Sequence, residues 1–203
     1  MNRSYTSTTD PLHVTSLITN DLSCETPLHI SLSRSLVLRK EDHGDFVDAV
    51  KNAISSSGVR PFDIGLHGLK WHPNYDRSRY FLSVGVVKPQ QDQLNKLLWC
   101  INRAVAARDH PMLYYDNNTR AKPSDMEMRD CSQSFHVSIA WALQQPPVKE
   151  PNLIDEQHSH ATAGNIEHLC INVDRVKVKI GDKVHEVILG AKPTIAGSSY
   201  LGI

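Results

Sequence analysis

Two short segments of the chain set a histidine and a serine two residues apart within alternating apolar sequence: Pro27-Leu28-His29-Ile30-Ser31-Leu32-Ser33 and Ser134-Phe135-His136-Val137-Ser138-Ile139-Ala140-Trp141. An imidazole titrates at about pH 6.5, so close to neutrality it can take a proton or give one up. A hydroxyl beside it can donate to an oxygen on which negative charge develops. Two imidazoles and two hydroxyls in one cleft suit phosphoryl transfer without a metal: one histidine as base, one as acid, and the serines holding the phosphoryl oxygens. His29, His136, Ser31 and Ser138 are the candidate catalytic residues.

Strands are the elements that would position them. Residues two apart on a strand share a face, so each histidine would project beside its serine. Leu28, Ile30 and Leu32 in one segment, and Phe135, Val137, Ile139 and Trp141 in the other, would then line the core face. The pattern is cheap in a chain with 11 histidines, and His-x-Ser/Thr occurs four times. His160-Ala161-Thr162 has no strand pattern around it, and the alternation after His13-Val14-Thr15 decays at once into Thr19-Asn20-Asp21. One such motif is usually a surface strand with a satisfied histidine. Two with the same flanking periodicity point instead to a shared site.

Around the motifs the elements alternate. Phe46, Val47, Val50, Ala53 and Ile54 are spaced for one face of a helix that Gly58 can end. Residues 62–66 and 79–87 form a strand pair across His72-Pro73-Asn74-Tyr75-Asp76, and residues 90–108 form a second helix with Leu94, Leu97, Leu98, Ile101 and Val105 on one stripe. A Pro- and His-rich linker over 144–165 leads to strands 166–180 and 183–189, joined at Gly181-Asp182. This order predicts an α+β fold. Residues 1–20 are expected as an N-terminal segment, 21–190 as one two-lobed domain and 191–203 as a flexible tail.

Composition narrows the partners. The 22 basic and 22 acidic residues cancel, so any RNA must be gripped by local cations and stacking rather than by bulk attraction. Cys24, Cys100, Cys131 and Cys170 have no Cys-x-x-Cys spacing and read as reduced thiols of an intracellular protein. No apolar run approaches a membrane span, and the polar residues 1–10 are no signal peptide. No metal or cofactor is expected, since no carboxylate-rich motif or His-x-His-x-Asp cluster is present and His158-Ser159-His160 sits in the linker.

The paired motifs resemble the signature of the 2H phosphoesterases. The longer stretches His29-Ile30-Ser31-Leu32-Ser33-Arg34-Ser35-Leu36-Val37-Leu38-Arg39 and Phe135-His136-Val137-Ser138-Ile139-Ala140-Trp141 resemble the U6 small nuclear RNA phosphodiesterase branch, and the likeness runs from Leu28 to Leu189. Members carry more sequence before the first motif, which puts an early strand in question here, and the segment between Tyr115 and Phe135 is longer than usual. The resemblance implies a two-lobed fold, with antiparallel sheets, helices outside and a central cleft. It implies a 3′-5′ exoribonuclease of the nucleus that removes terminal uridines and adenosines from U6 RNA through the 2′-hydroxyl, leaving a 2′,3′-cyclic phosphate. His136 would be the base, His29 the acid, and Tyr115 the ring on which the terminal base stacks.

Arg34 and Arg79, with Arg77, border the motif strands and are candidates to hold upstream phosphates, whereas Arg175, Lys177 and Lys179 alternate with apolar residues and form the polar face of a hairpin. The expected partner is single-stranded RNA with a 3′ oligouridine end, bound by a monomer. Another 2H enzyme acting on 2′,5′ linkages or cyclic nucleotides would share these histidines, and a non-catalytic RNA-binding module would not need both.

Overall fold

The stripe Phe46, Val47, Val50 and Ile54 forms the buried face of helix α1 (His43–Ser56), entered through a short 3-10 turn at Lys40–Asp42 and followed by Gly58 at φ +68°. Helix α2 (Gln93–Ala106) buries Leu94, Leu97, Leu98, Ile101 and Val105 and packs on α1. Burying such side chains contributes about 1.5–3 kcal/mol each. The computed structural model describes residues 12–74, 76–115, 127–146 and 169–190. Strands among them are β1 (Thr15–Ser16), β2 (Phe62–Pro73), β3 (Tyr80–Val86), β4 (His136–Ala142), β5 (Cys170–Val173), β6 (Arg175–Ile180) and β7 (Lys183–Ile188). They belong to two compact units: 12–30, 67–85 and 136–146 in the first, and the remaining described residues in the second.

The second unit holds both helices. In it the first half of β2 buries Phe62, Ile64 and Leu66 and pairs antiparallel with β5, from Phe62↔Val173 to Gly65↔Cys170. β6 and β7 form a hairpin about Gly181-Asp182, closed by Ile180↔Lys183. The run expected as one strand over 166–180 is therefore two strands in different ladders. At Asp174 the backbone changes partner, because its carbonyl accepts the Leu189 amide instead of continuing along β2. Arg175 and Lys177 on the hairpin are paired with Glu186, in keeping with a solvated face. The fully buried Asn102 of α2 donates to the Leu113 carbonyl and accepts from the Leu113 amide, which fixes the chain leading to Tyr114 and Tyr115.

In the first unit β4 lies between β3 and the β1 edge, all antiparallel. Gly85, Val84 and Ser83 of β3 face His136, Val137 and Ser138, but Leu82 then faces Ala140, which leaves Ile139 as the extra residue of a bulge. The bulge shifts the phase of β4. Phe135 and Val137 are buried as expected, but the following core positions are Ala140 and Ala142 rather than Ile139 and Trp141, which are half-buried.

The other edge of β4 corrects two further expectations. Thr15 and Ser16 pair with Trp141 and Ala140, and the Leu17 amide donates to the Ile139 carbonyl, so residues 1–20 do supply an early strand. The chain then leaves the edge, tethered by the Thr26 hydroxyl on the Leu17 carbonyl, and returns only at the single bridge Ile30↔Val137. The first motif is thus not a strand. Leu28 is exposed and Ile30 and Leu32 are half-buried, since outside a regular ladder these residues do not alternate between two faces. The linker beyond residue 146, with His158 and His160, and the tail from 191 lie outside the described residues.

Candidate active site

One bridge joins the two motifs. In an antiparallel bridge the residue before one partner lies across from the residue after the other, so Ile30↔Val137 brings the exposed His29 opposite Ser138. On the far side of β4, His136 faces Gly85 and Ser138 faces Ser83. Ser83 is only 1% exposed, and its hydroxyl lies 3.1 Å from that of Ser138. A hydroxyl has one proton to give and two lone pairs. With Ser83 donating to Ser138, the Ser138 proton is left for another acceptor, such as a phosphoryl oxygen.

Two histidines of β2 flank the same pair of strands. The His72 ring stacks on that of His136, with centroids 5.2 Å apart and planes at 20°. Burial pushes the His72 pKa below the ordinary histidine value, and the charges of His136 and Lys70 act in the same direction. His67 fills the space that Gly85 leaves open: a Cβ on Gly85 would lie 2.7 Å from His67 Nε2 and 3.1 Å from the His67 carbonyl oxygen. A glycine in a strand interior often marks such a close approach. Gly85→Ala must displace both a ring and a backbone oxygen, so we expect a loss of about 1–3 kcal/mol in urea unfolding. A variant as stable as the parent would mean that His67 has room to move.

Arg79 is exposed, with its guanidinium 4.7 Å from the centroid of the Trp141 ring and its amide donating to the Asn74 side chain. Such cation–π contact leaves the guanidinium edge available to a phosphate. His13 is exposed just before β1, whose Thr15 faces Trp141, about 15 Å along β4 from His136 at the rise of a strand.

Ser31, Arg34 and Tyr115 belong to the second unit, where all three are half-buried. The Tyr115 hydroxyl donates to the Glu127 carbonyl and accepts from the Arg129 amide, with the Arg129 guanidinium 5.0 Å from the ring centroid. Its neighbour Tyr114 has a different task. That hydroxyl donates to the Ser134 carbonyl, the ring meets Phe135 edge-on, and burial pushes the phenol pKa up to about 12. Tyr114 is a packing residue, so of the two tyrosines only Tyr115 stays a candidate for stacking.

Four residues at this site were missed in the sequence: Ser83, Gly85, His67 and His72. The first two left a signal, since Ser83-Val84-Gly85 places two small residues on one face of an otherwise apolar strand. His72 left none, because it reads as part of a turn until β2 is seen to run on to Pro73. Among the described residues no group of His, Cys, Asp or Glu side chains is arranged to hold a metal ion, no helix is long and apolar enough to cross a membrane, and all four cysteines are free thiols.

The fold matches solved structures of Usb1 from Kluyveromyces marxianus. One is 17% identical with a TM-score of 0.54, and the other, with uridine monophosphate, is 20% identical with a TM-score of 0.56; each match covers 88% of this chain and 82% of that one. The architecture is α+β, as in those structures. The family model described as HVSL, an uncharacterised conserved protein, matches residues 1–188, and the chain belongs to that family. It is 29% identical over 192 residues to U6 snRNA phosphodiesterase 1 of Neurospora crassa, covering 84% of this chain and 50% of that protein. To the Drosophila melanogaster protein of the same name it is 27% identical over 163 residues, covering 77% and 53%. The chain spans about half the length of these curated relatives.

Proposed function

We propose that this chain is a metal-independent RNA phosphodiesterase that trims the 3′ end of U6 small nuclear RNA in the nucleus. The Ile30↔Val137 bridge carries the proposal, because it draws the two His-x-Ser segments together and sets His29 opposite Ser138. The names of the curated relatives support the substrate.

RNA brings its own nucleophile. In the proposed reaction His136 takes the proton of the 2′-hydroxyl beside the last linkage, the 2′ oxygen bonds to phosphorus, and the bond to the 5′ oxygen breaks. His29 protonates that leaving oxygen. The shortened RNA keeps a 2′,3′-cyclic phosphate, and opening it with water to a 3′ phosphate would need the two histidines to exchange roles. General acid and base groups typically contribute about 10²–10⁴-fold each. Ser138, which accepts from Ser83 and so keeps its own proton to give, donates to a non-bridging oxygen, and Ser31 is assigned the matching role from its motif. Tyr115 stacks on the terminal base, while Arg79 and Arg34 hold upstream phosphates. Stacking on an aromatic ring contributes about 1–3 kcal/mol per base, which matters for a protein of zero net charge.

Incubation with a 3′-uridylated RNA in EDTA tests this. The expected products are a ladder shortened one nucleotide at a time, each ending in a cyclic phosphate. Internal cuts, or activity that EDTA removes, would sink the proposal.

A further inference from the structure

The reaction above leaves one feature of the first unit without a purpose, the His72 ring lying on His136. β4 fixes the backbone of His136, but an imidazole turns about two side-chain bonds, and a proton acceptor works only when one nitrogen points at its target. A flat ring stacked nearly parallel at 5.2 Å restricts that turning. The stack has a firm base, because His72 is half-buried near the end of β2 and sits one residue before Pro73, whose ring stiffens the backbone there. Charge suits the task as well. Burial disfavours the charged form of His72, as do His136 and Lys70, so near neutrality its ring is biased to the neutral form and presents a π face when His136 becomes protonated.

We propose that His72 is a positioning residue for the reaction: its ring face holds the His136 imidazole in the orientation from which it accepts the 2′-hydroxyl proton. The inference rests on the assignment of His136 as the base. It differs from a general packing role in requiring a flat ring, not merely a filled volume.

Three variants separate those requirements. His72→Leu fills much of the space without a flat face, His72→Ala empties it, and His72→Phe restores the face without a titrating group. In single-turnover cleavage of a 3′-oligouridine RNA, the Leu and Ala variants should be about 10- to 100-fold slower at unchanged RNA affinity, a loss typical of a misaligned catalytic group. His72→Phe should recover most of the rate. The ring-proton chemical shifts of His136, read by NMR without RNA, should move in the Leu and Ala variants through loss of the neighbouring ring current, and stay close to the parent in Phe. A His72→Leu protein that cleaves as fast as the parent, or as fast as His72→Phe, would overturn the proposal, as would unmoved His136 shifts. Absence of cleavage by the parent protein would remove the reaction itself, whereas a cleaving parent with an unaffected Leu variant removes His72 alone.

Discussion

Replacing either His29 or His136 with alanine should reduce RNA cleavage by at least about 10²–10⁴-fold, since each removes a proton-transfer group and not a binding contact. RNA affinity and thermal unfolding should change little. His29 is exposed and His136 half-buried, so neither side chain is a keystone of the core. The double variant should be hardly slower than either single one, because an acid and a base working in one displacement act as a unit. His13→Ala is the control that discriminates most sharply. The register of β1 keeps it far along β4 from His136, although its local sequence Pro11-Leu12-His13-Val14-Thr15 resembles Pro27-Leu28-His29-Ile30-Ser31. Full activity in His29→Ala, or its loss in His13→Ala, would show that the wrong histidine had been paired with His136.

That choice between His13 and His29 shows how far sequence alone could go. Helix stripes were legible because their periodicity is set by the helix itself: Leu94, Leu97, Leu98, Ile101 and Val105 needed no partner to be recognised, and all five are buried. The two motifs were legible as residue types for the same local reason. What surrounded them was not, because it depends on pairing between distant segments. Nothing in Val137-Ser138-Ile139-Ala140 announces that Ile139 is skipped by β3, yet that bulge decides which side chains of β4 are buried. The same holds for the Ser83 hydroxyl on Ser138 and for the stack of His72 on His136, each created by a register between strands more than fifty residues apart in sequence. Tyr114 and Tyr115 were indistinguishable as letters. They part only because Asn102 clamps Leu113 and the next residue takes a φ of +60°, which turns Tyr114 toward the Ser134 carbonyl.

The second large effect concerns the substrate rather than the protein. If the 2′ oxygen is the nucleophile, an RNA carrying a single 2′-deoxy or 2′-methoxy sugar on the 5′ side of one linkage should be trimmed down to that bond and stop there. Neither imidazole can substitute for the missing group, since each only moves a proton. The block should be close to complete, because the alternative nucleophile is a water that no residue in the scheme holds in line with the leaving oxygen. Binding should survive, as stacking of the terminal base and contacts to phosphates do not involve that hydroxyl. The modified RNA should therefore act as a competitive inhibitor of the unmodified one. Trimming that continues past the modified sugar would require water as the attacking group, and His136 would then be the base for a hydrolysis and not for a transesterification.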